Sequence, residues 1–136
     1  MSLIEISGLC QRYGEREVLK NIDMKVEKGE VLALIGPTGA GKTTLLRLIA
    51  LLETPTSGRI YFGGVYINAS VRMKLEVRRR MAFVLQKPVV FNMSIYDNIA
   101  YGLRWRRQKK SNIREKVNRI LEVVGLSADK NRNART

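Results

Sequence analysis

Apolar and polar positions alternate at the start of this chain. Leu3-Ile4-Glu5-Ile6-Ser7-Gly8-Leu9 and, further on, Val18-Leu19-Lys20-Asn21-Ile22-Asp23-Met24-Lys25-Val26 put roughly every second side chain on one face, as half-buried strands do. A polar turn at 11–17, around Tyr13, separates the two, and Glu27-Lys28-Gly29 leads out of the second. Short alternating strands joined by tight turns predict an antiparallel sheet. The pattern then changes. Val31-Leu32-Ala33-Leu34-Ile35 is apolar without interruption, which predicts a strand buried on both faces. Residues 44–50 return to helical spacing. Beyond them, 59–62 and 65–67 around Gly63-Gly64 predict a hairpin, 71–80 a basic helix, and 81–85 a second buried strand. Ser94 is a good N-cap for a helix with Ile95, Ile99 and Leu103 on one face and Asp97 at the favoured third position. A last helix is predicted over about 113–124, with Asn112 as N-cap, Glu115 completing a capping box and Gly125 as the stop. Its apolar face is Ile113, Val117, Ile120, Leu121 and Val124. Residues 126–136 show no core pattern.

Between the apolar run at 31–35 and the helix at 44–50 lies Gly36-Pro37-Thr38-Gly39-Ala40-Gly41-Lys42-Thr43, which fits the phosphate-binding pattern G-x-x-x-x-G-K-[ST]. Strand, glycine loop and helix form the context that turns this string into a site. A nucleoside triphosphate presents several negative charges and many acceptor oxygens. A loop that wraps them must aim backbone N–H groups inward, which suits glycines. The helix that starts near Gly41 adds unpaired N–H groups and the positive end of its dipole. Lys42 can reach the β- and γ-phosphates, and the Thr43 hydroxyl can ligate Mg²⁺.

Composition narrows the classes. At 136 residues with 45% hydrophobic content the chain has the size and make-up of about one globular domain. No stretch approaches 18 uninterrupted apolar residues, and no basic-then-apolar leader opens the chain, so neither a membrane span nor a secretory signal is expected. One cysteine, Cys10, excludes an internal disulfide and reads as a small buried apolar residue in a reducing compartment. The absence of histidine removes imidazole-based metal and triad chemistry. The net charge of +13 is compatible with nucleic acid, an acidic membrane surface or an incomplete chain. Arg104-Trp105-Arg106-Arg107-Gln108-Lys109-Lys110 is either a solvated helix end, where cations suit the dipole, or a contact for acidic headgroups or nucleic acid with Trp105 stacking.

Several segments together carry a resemblance. Tyr13-Gly14, Val18-Leu19-Lys20-Asn21-Ile22, Lys28-Gly29-Glu30 with the run into Gly36, the stretch from Leu51 to Gly64, "VLQKPVVF" and "MSIYDNIAYGL" resemble the first half of an ATP-binding cassette (ABC) ATPase domain. The resemblance covers essentially 3–126. It implies an α/β fold: a P-loop NTPase (RecA-like) core with an N-terminal antiparallel β subdomain and the start of an α-helical subdomain, incomplete here. The ATP-binding core with its β subdomain would occupy 1–92 and the helical subdomain would begin at 93–136. The resemblance also implies ATP and Mg²⁺ as ligands. Tyr13 would stack on adenine with Val18 packed beside it, the loop from Gly36 through Pro37, Thr38, Gly39, Ala40 and Gly41 to Lys42 would hold the phosphates, and Thr44 would support the α-phosphate. Lys42 and Gln86 would be the catalytic contributors and Thr43 and Gln86 the metal contacts, with Gln86, 44 positions after Lys42, touching Mg²⁺ and the attacking water.

Further implications are a membrane permease and a second nucleotide-binding subunit as partners, a location on the cytoplasmic face of the membrane, and a dock for the permease around Pro88, Phe91 and Tyr96. Nucleic acid is not expected as a partner. The look is closest to importer ATPases for oxyanions such as tungstate, molybdate or phosphate. The family's signature, the strand ending in Asp-Glu and the switch histidine do not occur within these 136 residues, and no acidic residue here follows an apolar run. Residues 1–136 alone are therefore expected to be a fragment, poorly stable, weak in nucleotide binding and without turnover. The competing readings are a non-transport ABC-type ATPase acting on nucleic acid or ribosomes, an unrelated P-loop kinase, and a nucleotide-binding remnant without hydrolysis.

Overall fold

The computed structural model describes residues 2–67, 70–87 and 89–136. The chain divides into two compact units, Met1–Phe83 and Val84–Thr136.

The first unit is built on a sheet. Strands β1 (Ser2–Tyr13) and β2 (Arg16–Glu27) form a long antiparallel hairpin that closes through Gly14-Glu15, with Tyr13 opposite Arg16. The turn is thus far shorter than the polar stretch 11–17 suggests: cross-strand pairing carries the strand pattern through Gln11 and Arg12 up to Tyr13 itself. On its other edge β1 pairs antiparallel with β3 (Ser57–Phe62), which turns at Gly63-Gly64 into the short β4 (Val65–Tyr66), giving the order β2-β1-β3-β4. The predicted hairpin after residue 58 is present; its place on the far side of β1 was not legible from alternation. That placement depends on Gly58. A Cβ there would stand 2.5 Å from both the Gly8 carbonyl oxygen and the Leu9 Cα, closer than atoms can approach.

Helix α1 (Lys42–Ile49) lays Leu45 and Leu48 onto one face of this sheet, against Ile6, Leu9, Leu19 and Ile60, with Ile4, Val18, Ile22 and Met24 around the edge. Leu48 is completely buried, and truncating such a leucine costs about 2–5 kcal/mol. The helix ends with the Leu52 N–H on the Arg47 carbonyl (2.9 Å) and the Leu51 N–H on the Leu48 carbonyl (3.0 Å), the double bond of a Schellman cap. Leu51 takes the left-handed position usually given to glycine (φ 57°), and its burial with Ile67 and Val77 compensates. Helix α2 (Val71–Arg78) is capped by Ser70, whose hydroxyl accepts the Met73 N–H at 3.1 Å.

Two expectations fail in this unit and at its boundary. Neither 31–35 nor 81–85 is a strand, and neither run is buried throughout. Val31 and Ile35 are 96% and 95% exposed, Val84 is 89% exposed, and only Leu34 and Met81 pack onto apolar clusters. An apolar run is buried on both faces only where neighbouring strands take up its N–H and C=O groups and helices cover it. Among the described residues no strand pairs with either run.

The second unit is a pair of helices, α3 (Ile95–Trp105) and α4 (Lys110–Val123), packed around Ala100, Ile113, Val117 and Leu121. Ser94 caps α3 as expected. Helix α4 begins earlier than expected: Lys109 is its N-cap, without a side-chain hydrogen bond, and Asn112 lies inside the first turn. Lys110 and Ser111 extend the helix backwards at little cost in propensity, which displaces the Asn112 capping box. The stop at Gly125 is present, with the Leu126 N–H on the Leu121 carbonyl at 2.8 Å. Among the described residues no helix is long and apolar enough to cross a membrane. Phe91 is exposed, Tyr96 is partly buried against the cluster of α3 and α4, and Pro88 lies outside the described residues.

Candidate functional site

The P-loop and the start of α1 form one continuous element. Gly41 is the N-cap of the helix, in the left-handed region at φ 87°, and its carbonyl accepts the first helical bond from the Leu45 N–H at 2.9 Å. The amides of Lys42, Thr43 and Thr44 precede that bond and so have no helical acceptor. Gly41 also brings the loop against β2. A Cβ on it would stand 2.8 Å from Leu19 Cδ2 and 3.0 Å from the Val18 carbonyl oxygen, so only glycine lets the loop rest there. Val18, expected beside the base, is therefore in direct packing distance of the loop.

Residues Gly36, Pro37, Thr38, Gly39 and Ala40 are all exposed. The loop turns on itself through the Ala40 N–H to the Pro37 carbonyl at 3.3 Å. Lys42 Nζ donates to the carbonyls of Gly36 (2.6 Å) and Pro37 (2.7 Å), so the ammonium lies over the loop's mouth. Thr43 is exposed, and its hydroxyl has no hydrogen-bond partner among the described residues. A cation over a glycine loop, helical amides without a helical acceptor and a free hydroxyl have the chemistry that a Mg²⁺-bound polyphosphate would need: the amides and Lys42 could take phosphate oxygens and Thr43 could offer a hard oxygen to a metal. Among the described residues there is no cluster of three His, Cys, Asp or Glu that could hold a metal ion.

Tyr13, at the end of β1, has 47% of its surface exposed, so its ring keeps an open face. Its hydroxyl donates to a Glu53 carboxylate oxygen, and the other Glu53 oxygen accepts from Arg47 Nη1 at 3.5 Å. The Glu53 carboxylate holds the Tyr13 phenol above its ordinary range, with partial burial adding to the shift, while Thr44 and Arg47 pull the other way. The phenol therefore remains a protonated donor. Glu53 and Arg47 were not among the expected site residues. Glu53 sits in a turn-like stretch and Arg47 on a helix, and nothing in their local patterns marks them.

The structure thus brings Tyr13, Val18, residues 36–41, Lys42, Thr43 and Thr44 together in the first unit. Gln86 belongs to the second unit, exposed in an irregular stretch.

Comparison with known proteins follows these features closely. Residues 19–136 match the family described as ABC transporter. The chain is 42% identical over 127 residues to the sulfate/thiosulfate import ATP-binding protein of Mesostigma viride, covering 93% of this chain and 35% of that protein. It is 37% identical over 128 residues to the Fe(3+) ions import ATP-binding protein of Photobacterium profundum, again 93% against 35%. With the spermidine/putrescine import ATP-binding protein of Bacteroides fragilis the identity is 39% over 127 residues, 93% against 27%. A solved structure of cbiO1 from Clostridium perfringens, described as part of the ABC transporter complex cbiONQ, superposes with a TM-score of 0.86 at 28% identity, covering 98% of this chain and 55% of that one. The chain spans about a third of the length of the curated relatives it matches. The fold is accordingly that of a P-loop ATPase core with an antiparallel β subdomain and part of a helical one. Because the match runs through nearly all of both units, the chain belongs to the ABC transporter family.

Proposed function

We propose that this chain supplies the nucleotide-holding part of an importer ATPase, binding ATP with Mg²⁺ so that its hydrolysis can drive solute uptake through a membrane permease. The observation that carries the reading is the loop itself: Gly41 locked against Val18 and Leu19, Lys42 folded over the mouth, and the first-turn amides of α1 unpaired. In this reading Lys42 and the loop from Gly36 to Gly41 hold the β- and γ-phosphates, Thr44 supports the α-phosphate, and Thr43 addresses Mg²⁺. Tyr13 and Val18 receive the adenine. Bound Mg²⁺ supplies charge neutralisation at the phosphates, and Lys42 stabilises negative charge that develops there.

The ATP-binding core reaches to about residue 92, and the helical subdomain starts at about 93. The partners are a permease and a second nucleotide-binding subunit, and the protein works at the cytoplasmic face of the membrane. The names of the relatives support an import role but cover unlike solutes: sulfate or thiosulfate, ferric ions, and polyamines. The sulfate/thiosulfate relatives, at 41–42% identity, support the narrower reading of an oxyanion importer. Calorimetric titration of the protein with ATP tests the core of this: saturable binding that Mg²⁺ tightens and ADP competes is expected. Failure of ATP to bind in the presence of Mg²⁺ sinks the reading.

A further inference from the structure

We propose that Glu53 is a positioning residue for nucleobase recognition: it pins the hydroxyl of Tyr13 and thereby fixes the ring on which the base stacks, tying that platform to the helix that meets the phosphates. The inference rests on the nucleotide-binding reading above and assigns a role to a residue which that reading leaves unused.

Glu53 is held from both sides. Its two carboxylate oxygens divide between the Tyr13 hydroxyl and the Arg47 guanidinium. Arg47 belongs to α1, three residues after Thr44, so the two share a helix face. The backbone around Glu53 is fixed as well. On one side the Leu52 N–H is bonded to the Arg47 carbonyl at 2.9 Å. On the other, the Thr56 N–H donates to the Cys10 carbonyl and to Gln11 Oε1, each at 3.1 Å, and the Arg12 N–H donates to Thr56 Oγ1 at 3.0 Å. Gln11 is the one buried polar side chain among the described residues, and its acceptor is used on this loop. The carboxylate therefore stands at a set place between β1 and α1.

The consequence is preorganisation. A half-exposed tyrosine at the tip of a hairpin would otherwise have to be ordered when the base arrives. With its far end pinned, the ring's open face is set before binding, at a fixed offset from the first turn of α1. The raised phenol pKa agrees with a hydroxyl committed to donating. Prior ordering of one side chain of this kind changes a dissociation constant by about two- to tenfold.

The test compares ATP with inorganic tripolyphosphate, which offers phosphates and no base, by calorimetry on the full chain. Glu53→Ala and Tyr13→Phe are each expected to weaken ATP about fivefold and to leave tripolyphosphate unchanged, and the double variant to add no further loss. Glu53→Gln, whose amide oxygen can still accept from Tyr13, is expected to recover most of the ATP affinity. Tyr13→Phe keeps the ring and removes a single oxygen, so its melting temperature should match the parent. Equal losses for both ligands, no loss for ATP, or additive losses in the double variant each overturn the role of Glu53. If the parent binds ATP no better than tripolyphosphate, the base platform fails and Glu53 with it. If the parent binds neither, the P-loop reading fails first.

Discussion

The N-termini of α1 and α3 are opposite solutions to the same problem. Each helix begins with backbone N–H groups that have no partner inside the helix. At α3 the chain satisfies the first three helical ones, those of residues 95–97. The Ile95 N–H donates to the Arg132 carbonyl and the Tyr96 N–H to the Lys130 carbonyl, both at 2.9 Å, and the Asp97 N–H donates to Ser94 Oγ at 3.0 Å. Asp97 adds negative charge in the first turn and pairs with Arg104 at 2.6 Å. At α1 the cap is a glycine with no side chain, the first turn holds no acid, and its first residue is a lysine. A cation at the positive end of a helix dipole is unfavourable until an anion arrives. One helix end is closed by its own protein, and the other is left open. Reading where the backbone donors go separates a structural helix from a binding one, even though both begin at ordinary capping positions.

Closing the open end gives the largest expected effect. Thr43→Asp places a carboxylate where phosphate should sit; ATP binding should fall by more than about 100-fold from like-charge repulsion. The folded state should meanwhile gain roughly 0.3–1 kcal/mol, because an acid suits that position. If calorimetry shows ATP still bound, the contrast between the two helices has no functional content. Lys42→Ala removes the cation over the loop and should weaken ATP about 10- to 100-fold, with an unchanged melting temperature. Unchanged affinity would refute the assignment of Lys42 to the phosphates.

Gly41→Ala should cost about 1–2 kcal/mol in denaturant unfolding, from the left-handed conformation alone. Its clash with Leu19 and Val18 should also push the loop off β2 and weaken ATP in parallel. A neutral effect on both measurements would mean that the loop does not depend on that contact. At the closed helix, Ser94→Ala should cost about 1 kcal/mol and leave ATP affinity untouched; a change in affinity would contradict the separation of roles.

The smallest effect is one of pH. The hydrogen bond from Ser94, and then the bond and charge of Arg104, hold the Asp97 carboxyl below its ordinary value. A lowered folded-state pKa contributes stability that is present above the unfolded value of about 4 and is lost as pH falls through the folded value. Thermal melts below about pH 4 should therefore show a loss of stability that Asp97→Asn flattens. The side chain is 36% exposed, so solvent screening keeps the effect modest. An identical acid profile in parent and variant would remove Asp97 from the closure of α3.

Much of this was legible before any coordinates. Ser94 and Asp97 announce the start of α3, Gly125 the end of α4, and Gly63-Gly64 the second hairpin, because each is a local backbone requirement written in one or two side chains. The phosphate loop was legible for the same reason: glycines, Lys42 and Thr43 are chemical necessities at fixed spacing. The failures have a common cause as well. The runs at 31–35 and 81–85 read as buried strands because apolarity is local, whereas burial depends on neighbours. Residues 126–136 read as featureless because they serve α3 through backbone carbonyls, those of Lys130 and Arg132, which leave no trace in residue type.

The sequence by itself determined the chemistry on offer: a loop able to hold phosphate, a cation and a hydroxyl beside it, an aromatic at position 13, and membership of one family. Tertiary structure alone decided which groups are used up internally and which remain free. It laid β3 against β1 at Gly58, rested Gly41 on Val18, joined Tyr13 to Glu53 and Arg47 across 40 residues of sequence, and closed α3 while leaving α1 open. The physical reason is that hydrogen-bond donors and apolar faces are properties of residues, but their satisfaction is a property of distance.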